Sequence, residues 1–224
     1  MSVRHHPGEE LLLDYASGPA EEGVALIVAT HLCFCTDCRR TVALAEAAGG
    51  ALLQETAPLA AGALDAVLAR LDSFEGSDVR TEKWKSTFPG RSSGKPRNDG
   101  TPSPLWSYLE DGLSGVRWRG MGPNLAFANL FRRGATRVRL LKGMPGADTG
   151  NHGHHGLEYT LVLAGGFTDA TGSYGAGDLQ VSTPQTVHNP IADPGEPCIN
   201  LSVTTGPLRF NGLIPRIAGK LFGF

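Results

Sequence analysis

The chain has 224 residues, 41% of them hydrophobic and 19% charged, an ordinary globular composition that excludes extended disorder outside linkers and leaves room for one large or two small domains. The net charge is −2, but residues 1–75 hold four basic residues (Arg4, Arg39, Arg40, Arg70) against eleven acidic ones, hence −7, and the remainder carries +5. An acidic start is a poor nucleic-acid binder and either meets a basic protein surface or is simply solvated; no apolar run reaches the roughly 18 residues that cross a membrane.

The opening RHHPGEE is not a signal peptide, and four cysteines, three clustered with a histidine, suit metal binding in a reducing compartment, so a cytoplasmic protein is expected. Residues 9–16 place Leu11, Leu12 and Tyr15 at helical spacing and stop at Gly18-Pro19, which predicts a short amphipathic helix. A second helix is predicted from near Glu21, where Glu21 and Glu22 favour a helix N-terminus, through the apolar stretch 24–28. His31, Cys35 and Cys38 follow at i, i+4 and i+7, and a continuous helix would put all three on one face. That face suits tetrahedral zinc, with His6 as a fourth ligand donated from before the first helix and His5 as its competitor. Cys33 would project to the opposite side as a small core residue. A disulfide is the competing reading, but helical i, i+3 pairing is poor geometry for one. A third, alanine-rich helix is predicted over about 37–48, stopping at Gly49-Gly50. A fourth, over about 59–74, carries Leu64, Val67, Leu68, Leu71 and Phe74 as a stripe that is either core or a surface for another protein.

Residues 75–103 are rich in Gly, Ser, Pro and Lys/Arg without apolar periodicity and read as a flexible linker, with Trp84 and Phe88 as the residues able to dock on a domain. From Pro104 onward short segments alternate between turns: WSYLEDG, VRWRGMG, LAFANLFRRG and TRVRLLKG. In the last, Val138 and Leu140 face one way and Arg137 and Arg139 the other, as in a half-buried strand. Turns every ten residues or so support a barrel or jelly roll. Cys198 is most simply a buried core thiol, with a redox-sensing role as the alternative.

Within this region His152 and His154 lie two residues apart, so a strand presents both imidazoles on one side, and Glu158 falls on the same parity. His155 has the opposite parity. His188, after the turn at Gly177-Asp178 and Pro184, completes three imidazoles and one carboxylate, a donor set for zinc or another divalent transition metal.

The spacing from Gly146 through His152, His154 and Glu158 to Gly165 resembles the first motif of the cupin family at every fixed position. The second motif is met less closely: Pro184 lies seven residues after Gly177 and His188 four after Pro184, without the internal glycine. The resemblance implies a small β-barrel around one metal held by His152, His154, Glu158 and His188. His-x3-Cys-x2-Cys with an upstream histidine resembles the zinc-binding anti-sigma domain, which implies ligands His6, His31, Cys35 and Cys38 and a helical domain that wraps an extracytoplasmic-function sigma factor. Together, and in RHHPGEELLLDYASG, VATHLCFCTDCR and LRFNGLIPRIAGKLF, the chain is similar to the ChrR group of anti-sigma factors.

The expected architecture is thus α+β in two domains: a small all-α zinc-binding domain over 1–76, a linker over 77–103, and an all-β cupin barrel over 104–224. The resemblance implies a cytoplasmic regulator with a structural Zn2+ at its N-terminus and Zn2+ or another divalent metal in the barrel. It implies a sigma-factor partner, no direct nucleic-acid or membrane contact, and release on an oxidative signal such as singlet oxygen. A metal-dependent cupin enzyme such as a dioxygenase is the alternative.

Overall fold

The computed structural model describes residues 3–53, 60–72 and 99–210. Four helices come first: α1 (Glu9–Ser17), α2 (Glu22–Leu32), α3 (Thr36–Leu53) and α4 (Ala63–Asp72). Acidic residues open α1 and α2, where they complement the positive helix ends.

The helix carrying His31 is not continuous to Cys38: α2 ends at Leu32, and the His31 carbonyl accepts the N–H groups of both Phe34 and Cys35 in a tightened last turn before α3 starts. Cys33 therefore caps α2 and is exposed rather than in the core. The third helix runs through Gly49-Gly50 to Leu53; a helix-interior glycine costs about 1 kcal/mol relative to alanine, too little to stop a helix followed by Ala-Leu-Leu. The fourth begins at Ala63, because Gly62 has φ +83 and breaks the helical path; Phe74 lies outside the described residues.

Among the described residues the rest is strands and turns with two short 3₁₀ elements. Twelve strands follow: β1 (Arg119–Gly120), β2 (Leu125–Arg133), β3 (Thr136–Gly143), β4 (His152–His154), β5 (Glu158–Ala164), β6 (Gly166–Asp169), β7 (Gly172–Gly175), β8 (Leu179–Ser182), β9 (Val187–His188), β10 (Ile191–Ala192), β11 (Cys198–Thr204) and β12 (Leu208–Phe210). They form antiparallel sheets in the orders β1-β2-β3-β11-β5-β8, β10-β6-β7 and β12-β4-β9. WSYLEDG is not a strand: Ser103–Ser107 is a 3₁₀ turn whose Leu105 is buried. Of the stretch expected to be linker, residues 77–98, with Trp84 and Phe88, lie outside the described residues. Residues 99–103, assigned to it on composition, are folded onto the barrel's first turns. Asp99 accepts the N–H groups of Thr101 and Ser114, and the Thr101 hydroxyl accepts that of Leu113.

The outer face of the six-stranded sheet is apolar, and a polar row crosses its inner face beside apolar residues such as Phe127 and Val162. One row across it reads Asn129, Arg139, Ser202, Thr160 and Gln180 by strand register. The flanking rows, facing the other way, hold Val138, Val203 and Tyr159, and Leu140, Leu201, Leu161 and Leu179. TRVRLLK does alternate, but its polar side is not in water: Arg139 is only 6% exposed. The apolar side is covered by α2, which packs on β3, β5 and β11. Gly23 permits the approach, since a Cβ there would lie 2.8 Å from Val138 Cγ2 and 3.2 Å from Val203 Cγ1. As a result Leu12, Ile27, Val28, Cys35, Cys38 and Val42 share one buried cluster with Val138, Leu140, Leu161, Leu201 and Val203. A smaller cluster, with Val162, Phe167, Tyr174 and Cys198, fills the opposite side of the barrel. Among the described residues no helix is long and apolar enough to cross a membrane.

Two candidate metal centres

The helix break positions the first centre. His31 closes α2, Cys35 sits in the turn, Cys38 lies in the first turn of α3, and His6 comes from the extended segment before α1. One donor atom from each lies within 4.8 Å of every other. His6 Nδ1 is 3.3 Å from Cys35 Sγ and 3.4 Å from Cys38 Sγ, and His31 Nε2 is 3.3 Å from Cys38 Sγ. A tetrahedral zinc with bonds of about 2.3 Å to sulfur and about 2.0 Å to nitrogen would set such S···N edges about 3.5 Å apart, so the donor set fits. His5, the competitor, is engaged elsewhere: its ring packs on Tyr174 at 4.4 Å between centroids.

His31 Nδ1 lies 2.9 Å from the Gly177 carbonyl, which can only accept, so Nδ1 carries the proton and Nε2 turns its lone pair to the cluster. Burial above all lowers the His31 pKa to about 4, opposed by the bond to Gly177, with His6 lowering it further. Burial, then the neighbouring Cys35, pushes the Cys38 thiol up to about 12. Without a cation this cluster therefore keeps a neutral imidazole and a protonated thiol. A metal must displace the thiol proton to bind.

The second centre lies inside the barrel, where His152 and His154 (β4), Glu158 (β5) and His188 (β9) all are buried and place donor atoms within 4.8 Å of one another. Register explains the convergence: β4 pairs with β9 so that His152 faces His188, and Glu158 heads β5 opposite Ser182. His154 Nε2 is 3.3 Å from Glu158 Oε2 and 3.1 Å from His188 Nε2. Glu158 Oε1 accepts the Ser202 hydroxyl at 3.0 Å, leaving Oε2 for the centre. His155 is exposed and outside the cluster.

The tautomers test whether a cation fits. His152 Nδ1 lies 2.8 Å from the Gly150 carbonyl and His188 Nδ1 lies 2.9 Å from Asp169 Oδ2, so both rings donate outward. In the neutral rings the Nε2 lone pairs then face each other at 3.2 Å. Two acceptors so close repel unless a positive ion lies between them, which these residues fit. Burial lowers the pKa values of His152 and His154, the latter to about 4, so protons are poor substitutes for that ion. Arg139, whose own pKa burial lowers to about 10, is a cation near Glu158.

Sequence reasoning missed Asp169. Its Oδ2 holds His188 and also accepts Gln180 Nε2 at 2.8 Å, while Oδ1 accepts the Thr171 N–H and hydroxyl. Burial opposes the charge, but these donors together hold the carboxyl below its ordinary range. It is the outward partner that fixes the His188 imidazole. No spacing signal links Asp169 to His188, since the two meet only because β6 and β9 flank the same interior. Cys198 is buried as expected, donates to Asn200 Oδ1 and has its thiol pKa pushed up to about 12 by burial, which makes it inert.

A profile of the ChrR cupin-like domain matches residues 113–209. The chain is 39% identical over 224 residues to the anti-sigma-E factor ChrR of Cereibacter sphaeroides, covering 99% of both chains. Among solved structures it is similar to a crystal structure of Rhodobacter sphaeroides SigE in complex with the anti-sigma ChrR, with a TM-score of 0.73 and 37% identity, covering 91% of this chain and 99% of that one.

Proposed function

The chain belongs to the ChrR family of anti-sigma factors, and we propose that it sequesters an extracytoplasmic-function sigma factor through its helical end and releases it on an oxidative, singlet-oxygen-type signal sensed through the barrel. The observation that carries this reading is identity along the whole chain, helices and barrel together. Two features of the molecule support it. On α4, Leu64, Val67 and Leu68 form a stripe at i, i+3 and i+4 that is 68, 54 and 47% exposed, an apolar face available to a protein partner. The surrounding segment 1–75 is acidic and suits the basic surfaces with which a sigma factor holds DNA or polymerase.

The cluster of His6, His31, Cys35 and Cys38 is read as a structural Zn2+ site, because four protein donors fill a tetrahedron and leave no open position. The cluster of His152, His154, Glu158 and His188 is read as a site for Zn2+ or another divalent transition metal, and its electron-rich imidazoles as the element that meets the oxidant. The protein acts in this reading as a cytoplasmic regulator and not an enzyme. The alternative, a cupin dioxygenase, draws on the same three imidazoles and one carboxylate, which leave room for a further ligand on a larger ion.

The deciding experiment is co-purification of the full chain with a sigma factor encoded beside it, with metals quantified. A one-to-one complex that chelator dissolves, and that His152→Ala protein still forms but no longer releases on exposure to singlet oxygen, is the expected result. No complex, together with oxygen consumption by a redox-metal-loaded barrel, would replace it with the enzyme reading.

A further inference from the structure

The turn between β7 and β8, residues 175–178, belongs to the barrel in sequence but touches the N-terminal cluster from two sides. Asp178, 2% exposed, accepts the backbone N–H groups of Arg4 at 2.6 Å and His5 at 3.0 Å on Oδ1, and that of Gly175 at 2.9 Å on Oδ2. Leu179 then donates its N–H to the His5 carbonyl at 3.0 Å. The segment immediately before His6 is thereby laid along the start of β8. The neighbouring Gly177 carbonyl accepts His31 Nδ1–H. Gly177 itself is held at φ +91 against the helical end: a Cβ there would lie 2.8 Å from both Phe34 Cβ and Val3 Cγ2. The turn is fixed in turn to β5, since Gly177 donates to the Val162 carbonyl and Val162 to that of Asp178.

Two of the four donors, His6 and His31, thus take their position from the barrel, while Cys35 and Cys38 take theirs from the helix break. A metal-binding imidazole is oriented by what its other nitrogen meets, and loss of such an outer partner costs affinity. Here that partner lies 146 residues away in sequence. On β8 the next inward residue after Asp178 is Gln180, whose Nε2 donates to the same Asp169 oxygen that holds His188. One short stretch therefore supports ligands of both clusters.

We propose that the β7–β8 turn is a built part of the N-terminal metal centre, with Asp178 as a positioning residue that acts on His6 through Arg4 and His5, beside a Gly177 carbonyl that orients His31. This rests on the reading of His6, His31, Cys35 and Cys38 as a metal centre. The grip of the helical end on its metal is then set by the barrel. A disturbance along β8 then reaches the helical end through the contacts of Asp178, Gly177 and Leu179.

The test uses the full chain loaded with Co2+. Only the cluster with Cys35 and Cys38 gives thiolate-to-cobalt charge-transfer absorption, so this band follows the N-terminal centre alone. Asp178→Asn sets an amide NH2 against a backbone N–H on one side of the turn. Gly177→Ala leaves the carboxylate in place and pushes a methyl group into Phe34 and Val3. On addition of chelator, each variant is expected to lose the band at least about tenfold faster than the wild type, in line with the affinity cost of outer partners. The visible ligand-field bands, which report coordination geometry, shift in both before chelator is added. Phe127→Ala, which removes a 1% exposed side chain from β2, four strands away from β8 in the sheet, leaves those bands unmoved. Wild-type spectra and release rates within twofold in both variants would overturn the inference, as would the same spectral shift in Phe127→Ala. Should Asp178→Asn fail to fold, Gly177→Ala decides alone. A wild-type chain without any charge-transfer band would overturn the metal reading itself, and the inference with it.

Discussion

Ile27 lies one helical turn beyond Gly23 on α2, is 0% exposed, and belongs to the buried cluster that contains Val138, Leu201 and Val203 of the sheet. If that cluster is one core, Ile27→Ala weakens the barrel as well as the helices. Removing a fully buried isoleucine side chain costs about 2–5 kcal/mol, the larger values applying where neighbours cannot close the cavity. Neighbours on a β-sheet cannot, because hydrogen bonding fixes their spacing, so a cost of about 3–4 kcal/mol is expected. For a chain of this size each 1 kcal/mol moves the midpoint by about 2–4 °C, which makes the expected drop roughly 6–16 °C. Hydrogen exchange read by mass spectrometry locates the loss. Amides of β3, β5 and β11 that open only on global unfolding should exchange at least about 100-fold faster, at tenfold for each 1.4 kcal/mol. If helical amides accelerate while those of β3, β5 and β11 keep wild-type rates, α2 and the sheet do not share a core and the reasoning fails.

Three other outcomes are expected. Cys38→Ala removes a buried donor, and the full chain should bind one zinc fewer by atomic absorption and lose helical stability; unchanged zinc content would exclude Cys38 as a ligand. Asp169→Asn puts a neutral amide where a carboxylate holds His188, and titration against a chromophoric chelator should show metal affinity of the barrel falling by about 10–100-fold with the N-terminal site unaffected. In chelator-treated protein, His31 and His154 have folded pKa values of about 4, below the unfolded value of 6.5. The neutral rings therefore contribute stability that is fully present above pH 6.5 and lost as pH falls toward 4, up to roughly 3 kcal/mol each. Urea midpoints that stay level between pH 7 and 4 would contradict that sign.

Much of the two clusters was legible because their donors announce themselves locally. His152, His154 and Glu158 keep strand parity, and His31, Cys35 and Cys38 recur at intervals that bring donors together whether the backbone is one helix or, as found, two helices across a turn. That is also why spacing alone mistook the break for a continuous helix: no Gly or Pro marks it, and it is made by carbonyl bonding around His31. The choice between His5 and His6 was beyond the sequence, since it depends on Tyr174, which takes His5 from across the barrel. Asp169 and Asp178 were invisible for a like reason. An aspartate in a Gly-bounded turn is ordinary turn chemistry, and only the fold brings these two against His188 and the Arg4–His5 backbone. Arg139 was misplaced because alternation reveals that a strand has two different faces, not which of them meets water.

The reversal of the sheet has a bearing on how such a chain can change over time. An ordinary small barrel hides its oily residues inside and shows polar ones to solvent, so it can be cut out and attached to other partners. Here the oily side chains Val138, Leu140, Leu161, Leu201 and Val203 look outward to α2, while Arg139, Glu158 and the histidines share the interior with the smaller apolar cluster of Val162, Phe167 and Cys198. A barrel transplanted without its helices would carry an adhesive wall, and helices fused to a conventional barrel would find nothing to bury Ile27 and Val28 against. Separating the two halves at this seam would therefore expose an apolar face on each.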